Sequence, residues 1–185
     1  MKFVANVDFS GGQLRPLEKA DVNSIISLYQ AQTLAGNSTS VTQEHAERMI
    51  DLSVQMAATQ RGLMWAIEVE HNGQRQMLGM LSLYDWQPTS LKTLMRLDAM
   101  PELSTDLKIN ALNSAIEYLC KKYHLTNFSF QCLPLGDEKT IEVIEQCGFT
   151  QQARLRDYRR VSQTEFSDVL LYNRLLEIEL QGEEK

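Results

Sequence analysis

A chain of 185 residues, 43% apolar and 23% charged, has the size and composition of one folded domain with a sizeable core. Its formal charge of -6 argues against broad electrostatic attachment to nucleic acid or an anionic membrane, and no apolar run approaches a membrane span or a signal peptide, so a cytoplasmic domain is expected. Cys120, Cys132 and Cys147 are odd in number and lack close pairing, and His45, His71 and His124 fall on different expected elements, so reduced buried thiols are expected rather than a disulfide, a zinc site or a His-based triad.

In chain order, residues 13–15 before Pro16 read as a short strand ending in a turn. Asp21 caps a helix whose Val22, Ile25, Ile26 and Tyr29 share a face. Ser40 and Gln43 have capping-box spacing, and Ala46, Met49, Ile50, Val54 and Ala57 keep a helical period after them. Residues 63–71 and 76–84 are β-rich runs on either side of Asn72-Gly73, a dipeptide suited to the positive φ angles of a type I′ hairpin turn. Residues 91–98 alternate as a fourth strand, and residues 106–123 carry Ile109, Leu112, Ile116, Leu119 and Cys120 on one stripe of a long helix. Residues 126–133 make a fifth strand, and residues 138–147 a short helix ended by Gly148. Residues 149–160 and 168–176 form a final strand pair, and the acidic stretch 178–185 reads as a solvated tail. The expectation is one mixed α/β (α+β) domain over residues 1–185, its core about 13–177, with a seven-stranded, mostly antiparallel sheet and about four helices.

Three stretches sharpen this order. Leu14-Arg-Pro-Leu-Glu-Lys-Ala-Asp21 opens it, Trp65-Ala-Ile-Glu-Val-Glu-His-Asn-Gly73 leads to Leu78-Gly-Met80, and Glu145-Gln-Cys-Gly-Phe149 is followed by Asp168-Val-Leu-Leu-Tyr172. Together they resemble the GNAT N-acetyltransferases, and within them most of all the branch that acetylates ribosomal-protein N-termini. The resemblance implies that the fourth and fifth strands splay apart and that acetyl-CoA lies in the notch. Its pantetheine would run along Met95, Arg96, Leu97 and Asp98, and its pyrophosphate would sit at the start of the helix 106–123, where Leu103, Ser104, Thr105, Asp106, Leu107 and Lys108 form the loop.

That loop departs from the family pattern, which places a Gln or Arg, a glycine and a Gly or Ala where this chain has Leu103, Asp106 and Lys108. No glycine occurs between Gly79 and Gly136. Glycines there let successive N–H groups approach a phosphate. A carboxylate such as Asp106 beside a diphosphate costs about 1 kcal/mol or more. Ser104, Thr105 and Asp106 are also all good helix caps. A third possibility is that Lys108, with the hydroxyls of Ser104 and Thr105, binds the pyrophosphate in place of glycine N–H groups.

The ribosomal-protein branch has Asn-x-x-Ser at the next helix, the Asn contacting cofactor and the Ser protonating the departing thiolate. Here it reads Asp137-Glu-Lys-Thr140, which makes Asp137 a cofactor contact and Thr140 the candidate general acid, or else a helix cap. Other branches use a tyrosine at the position of Ile144. The acceptor amine must lose a proton before attack, and Asp98 is the first candidate to assist, followed by Glu102, Asp85 and Glu68. Each is equally readable as a solvated carboxylate. Arg154, Arg156, Arg159 and Arg160 are placed to meet a 3′-phosphate or an acidic peptide, or simply solvent, and Trp65 and Trp86 either line a cleft or belong to the core. Two functions follow: acetyl transfer from acetyl-CoA to an amine-bearing peptide or small molecule, or a domain that has kept the fold, lost the cofactor and serves as a binding module. The sequence does not separate a monomer from a homodimer.

Overall fold

A computed structural model of the chain describes residues 4–31 and 41–177. Its elements are β1 (Val7–Phe9), β2 (Gly12–Pro16), a 3-10 turn (Lys19–Asp21), α1 (Val22–Ala31), α2 (Gln43–Ala58), β3 (Leu63–His71) and β4 (Gln74–Gln87). After these come β5 (Lys92–Ala99), α3 (Thr105–Tyr123), β6 (Asn127–Cys132), α4 (Glu138–Gln146), β7 (Thr150–Arg160) and β8 (Phe166–Leu175). The strands form one eight-stranded sheet in the order β1-β2-β3-β4-β5-β6-β8-β7, antiparallel throughout except for β5 beside β6. The seven strands expected from sequence become eight because Val7–Phe9 turns back on β2, pairing Val7 with Leu14. No helix among the described residues is long and apolar enough to cross a membrane.

The period-2 pattern of the strands sets the layers. Leu63, Trp65, Ile67 and Val69 of β3 face one cluster, with Leu112, Ile116 and Leu119 of α3 and Val143 and Ile144 of α4. Met64 and Ala66 point the other way, against Ile25 and Leu28 of α1 and Ala46 and Ile50 of α2. The sheet therefore lies between two helix pairs. Its central hairpin turns at Asn72 and Gly73 with φ of 52° and 74°, as the dipeptide requires. A bulge at Ile67/Glu68 lies opposite Gly79, where an added Cβ would come within 2.9 Å of the Asp98 carbonyl, so β5 can approach only a glycine.

Two expected helix starts are corrected. Thr42, rather than Ser40, caps α2, its hydroxyl accepting from the His45 N–H at 3.3 Å; Ser40 and the acidic tail lie outside the described residues. Asp21 does not cap α1 through its side chain, which is taken up by the residues before it. It sits in the 3-10 turn, accepts from the Glu18 N–H at 2.7 Å, and takes two hydrogen bonds from the Arg15 guanidinium, each 2.8 Å. Arg15 also donates through Nε to Glu68 at 2.7 Å. The ion cluster thus ties β2, the 3-10 turn and β3 together.

Candidate functional site

The only parallel pair in the sheet is also its shortest register outside the edge strand β1. Lys92 to Met95 pair with Asn127 to Phe130, and beyond that point the strands part. Gln131 and Cys132 keep β8 as a partner, while Arg96 to Ala99 pair with β4 alone. The backbone groups of β5 that would have bonded β6 therefore face an opening. A chain needs a reason to diverge here, and two are visible: the β5 end is drawn to β4 by the Met100 N–H, which donates to the Leu78 carbonyl at 2.8 Å, and Gly79 lets it come close.

The opening is a cleft of about 820 Å³, within the range of small-molecule and cofactor sites. Its floor is Met95 to Met100 on one side and Phe130 to Cys132 on the other; the first turn of α4 and Lys108 of α3 overhang it. Arg96, Lys108, Lys139 and Arg159 line it, against Asp98, Asp137 and Glu138. A chain that is acidic overall has gathered cations at this place.

The electrostatics divide the cleft into two halves. On the face packed by α1, Asp98 is buried, receives Arg96 Nε at 2.9 Å, and accepts from the Tyr29 hydroxyl at 3.2 Å. Burial lowers the Arg96 guanidinium, but Asp98, Tyr29 and Tyr84 together outweigh it and the net shift is upward. Burial and the Asp98 charge push the Tyr29 hydroxyl up, so it remains a donor. On the other face, Lys108 and Lys139 both line the cleft with no ion-pair partner among the described residues, and burial, then the charge of Lys139, pushes Lys108 down.

Asp137 is raised, first by burial, although the Leu133 N–H at 2.6 Å and the charges of Arg159 and Arg96 pull it back. The fold thus favours its neutral form. That contribution is complete below the ordinary value of 3.8 and is lost as pH rises through the raised native value. Asp137→Asn, which keeps an acceptor for Leu133, is expected to raise the melting temperature at pH 7 and above, with the difference closing near pH 3; a variant that melts lower at every pH contradicts this.

Of the residues expected from sequence, Met95, Arg96, Leu97, Asp98, Lys108, Asp137 and Thr140 line the cleft together. Glu102, Ser104, Thr105, Asp106 and Leu107 are not among its lining residues. Ser104 is the cap of α3: its hydroxyl accepts from the Leu107 N–H at 3.3 Å, so one donor of the helix start is already used. Asp137 does not cap α4 with its side chain, which turns back to Leu133 instead. Ile144 is fully buried in the core and holds no proton to give.

Several alternatives resolve toward structure. Glu68 is committed to Arg15, and Asp85, at a φ of 47°, accepts from the Gln87 amide. Trp65 is fully buried, its indole N–H donating to the Ala5 carbonyl at 2.9 Å, and Trp86 packs edge-on against Tyr123 with centroids 4.8 Å apart. Neither tryptophan lines the cleft. Arg154 pairs with Asp168 at 2.5 Å and Arg160 donates to the Ser162 and Gln163 carbonyls. Arg159 reaches the cleft because a bulge between Leu155 and Arg159, with Asp157 at a φ of 48°, turns Tyr158 and Arg159 inward. Sequence reasoning missed Tyr29, Lys139 and Tyr158. Lys139 lay inside the Asp137-Glu-Lys-Thr140 motif and was the one of the three with a readable signal.

A family model for the acetyltransferase (GNAT) domain matches residues 13–150. Comparison with curated protein sequences gives no match. Similar solved structures include RimL, a ribosomal-protein α-N-acetyltransferase, in complex with coenzyme A, at 13% identity over 93% of this chain and 98% of that one with a TM-score of 0.79. Spermidine N-acetyltransferase from Vibrio cholerae with CoA and spermine is similar at 16% identity, 90% and 96% coverage and a TM-score of 0.74. The microcin self-immunity acetyltransferase MccE with acetyl-CoA and AMP is similar at 13% identity, 95% and 96% coverage and a TM-score of 0.75. At such identities the likeness is one of fold.

Proposed function

The chain belongs to the GNAT acetyltransferase family, and from that premise we propose that it is an acetyl-CoA-dependent N-acetyltransferase that passes the acetyl group directly to an amine. The observation that carries the reading is the parted β5 and β6: an 820 Å³ cleft floored by unpaired β5 backbone and lined by four cations fits a long polyanionic thioester. The pantetheine amides would bond the free edge at Arg96 to Ala99. Lys108 and Lys139 would hold the phosphates. Bound acetyl-CoA supplies an activated acetyl group next to these side chains.

The roles of the chain's own residues follow from the two halves of the cleft. Asp98 is held by Arg96 and Tyr29 on the face opposite α3, where it would orient the acceptor ammonium and take its proton, directly or through water. The Thr140 hydroxyl, at the start of α4, would donate to the leaving sulfur. Glu102 has no part in this reading. Cys132 also lines the cleft, but burial pushes its thiol up to about 12. A neutral thiol is a poor nucleophile, so direct transfer is favoured over an acyl-cysteine.

The second reading, a fold without its cofactor, draws on the Ser104 cap, which uses a helix N–H that a phosphate would otherwise receive. Calorimetric titration with CoA separates the two. Saturable binding in the micromolar range is expected, and CoA at 100 times its Kd should add about 2.7 kcal/mol to stability. No heat at millimolar CoA and no rise in melting temperature would establish the second reading.

A further inference from the structure

The acceptor side of the cleft carries a marked arrangement of charge. Along β5, Thr93, Met95 and Leu97 are buried on one face, while Arg96 and the likewise buried Asp98 project to the other, beneath Tyr29 of α1. Asp98 fixes Arg96 through Nε alone, and the guanidinium lies 5.9 Å from the Tyr29 ring centroid. Both Nη groups are left without a protein partner among the described residues, on a side chain that lines the cleft and whose direction is fixed by the ion pair and the ring. A guanidinium set in this way offers a rigid two-pronged donor.

Asp98 keeps acceptor capacity as well, because a carboxylate has about four lone-pair sites and the Arg96 and Tyr29 bonds use two or three. Side by side, Asp98 and Arg96 present one anion and one cation to whatever enters from the α1 face. That pair is complementary to a molecule carrying an ammonium and an acid group a few bonds apart. It is a poor match for a polyamine, which would place a second positive charge on Arg96.

We propose that the acceptor is an amine that also bears a carboxylate, the amine at Asp98 and the carboxylate on the Nη groups of Arg96. The proposal rests on the acetyltransferase reading for the transfer itself, but the site's preference for an acid is testable without it. Two sources share this chemistry: a free amino acid, and a peptide whose N-terminal residue is acidic.

Matched pairs that differ only by carboxylate or carboxamide test it: L-alanine against L-alaninamide, and Asp-Ala-Ala-amide against Asn-Ala-Ala-amide, with spermidine as the polycation. Initial rates of CoA release should favour the acid member of at least one pair by about tenfold or more in kcat/KM. The pair that shows the preference names the source. Arg96→Gln should reduce the preference to within about twofold, and Arg96→Lys should keep part of it, since a point charge replaces a fork. Equal or better turnover of the amides, a better rate with spermidine, or a preference that survives in Arg96→Gln overturns the proposal. Saturation-transfer NMR with the same pairs on protein free of coenzyme reads binding alone. If CoA binds and no acid member binds or reacts, the Arg96 proposal falls and the cofactor reading stands; if CoA fails to bind while the acids still bind better than the amides, the reverse holds.

Discussion

Replacing Lys108 and Lys139 together with alanine is expected to raise the Kd for CoA by about 30-fold. Lys108 lies in the first turn of α3 and Lys139 in the first turn of α4, so both ammonium groups sit where two helix starts converge on the cleft. Burial lowers Lys108 first, and the like charge of Lys139 adds to it. An anion between them removes that opposition. A charge-assisted contact to phosphate contributes about 1.5–3 kcal/mol when shielded, and about 1 kcal/mol for each lysine is reasonable where water reaches the pair. Two such contacts give about 2 kcal/mol, or roughly 30-fold in Kd. Each single variant should account for about fivefold. The apo protein should melt no lower than the parent, because the substitution relieves repulsion rather than breaking a bond. An unchanged Kd would show that the phosphates lie elsewhere.

The largest stability effect is expected at Arg15. Its guanidinium makes two 2.8 Å hydrogen bonds to Asp21, whose side chain is 5% exposed, and one to Glu68 at 2.7 Å. Removing one member of a buried ion pair leaves a charge without compensation, at a cost of about 3–5 kcal/mol. Arg15→Leu should fall near the lower end of that range, because Arg75 remains 3.9 Å from Glu68. For a chain of this size that is a drop in Tm of roughly 6–12 °C. Arg15→Leu with Asp21→Leu should recover much of the loss, since two apolar groups need no partner. A double variant as unstable as the single one would mean that the turn itself, through the Glu18 N–H bond to Asp21, is what Arg15 supports.

The fold was legible wherever a local rule agreed with the tertiary answer. Asn72-Gly73 specified its hairpin, and the stripe of Leu112, Ile116 and Leu119 specified the buried face of α3. The first strand was not legible, because Val7–Phe9 is three residues long and owes its existence to pairing with β2 rather than to its own pattern. The cleft was legible only through resemblance: the divergence of β5 from β6 depends on Gly79 and Met100, whose roles appear once the strands are side by side. Within the site, residues on one strand or one motif were found together, such as Met95 to Asp98 and Asp137 with Thr140. Tyr29 was read as one more apolar position on α1, and indeed it packs against that core, but its hydroxyl reaches a carboxylate 69 residues away in sequence. Arg159 could not be told from its neighbours because a bulge, which leaves no mark in a strand's composition, decides which arginine turns inward.

The meeting of β5 and β6 has a mechanical side. The strands β1 to β5 form one half-sheet and β6, β8 and β7 another, and among the described residues they are stitched at Lys92 to Met95 and at the Leu91 carbonyl, which accepts from the Thr126 and Asn127 N–H groups. A molecule lodged past the last stitch works as a wedge, resting on both halves and fixing the angle between them. The shortest strand pairing inside the edge strand β1 and the cleft then lie on the same line. Loading the cleft and bracing the protein against unfolding become one quantity seen by two instruments.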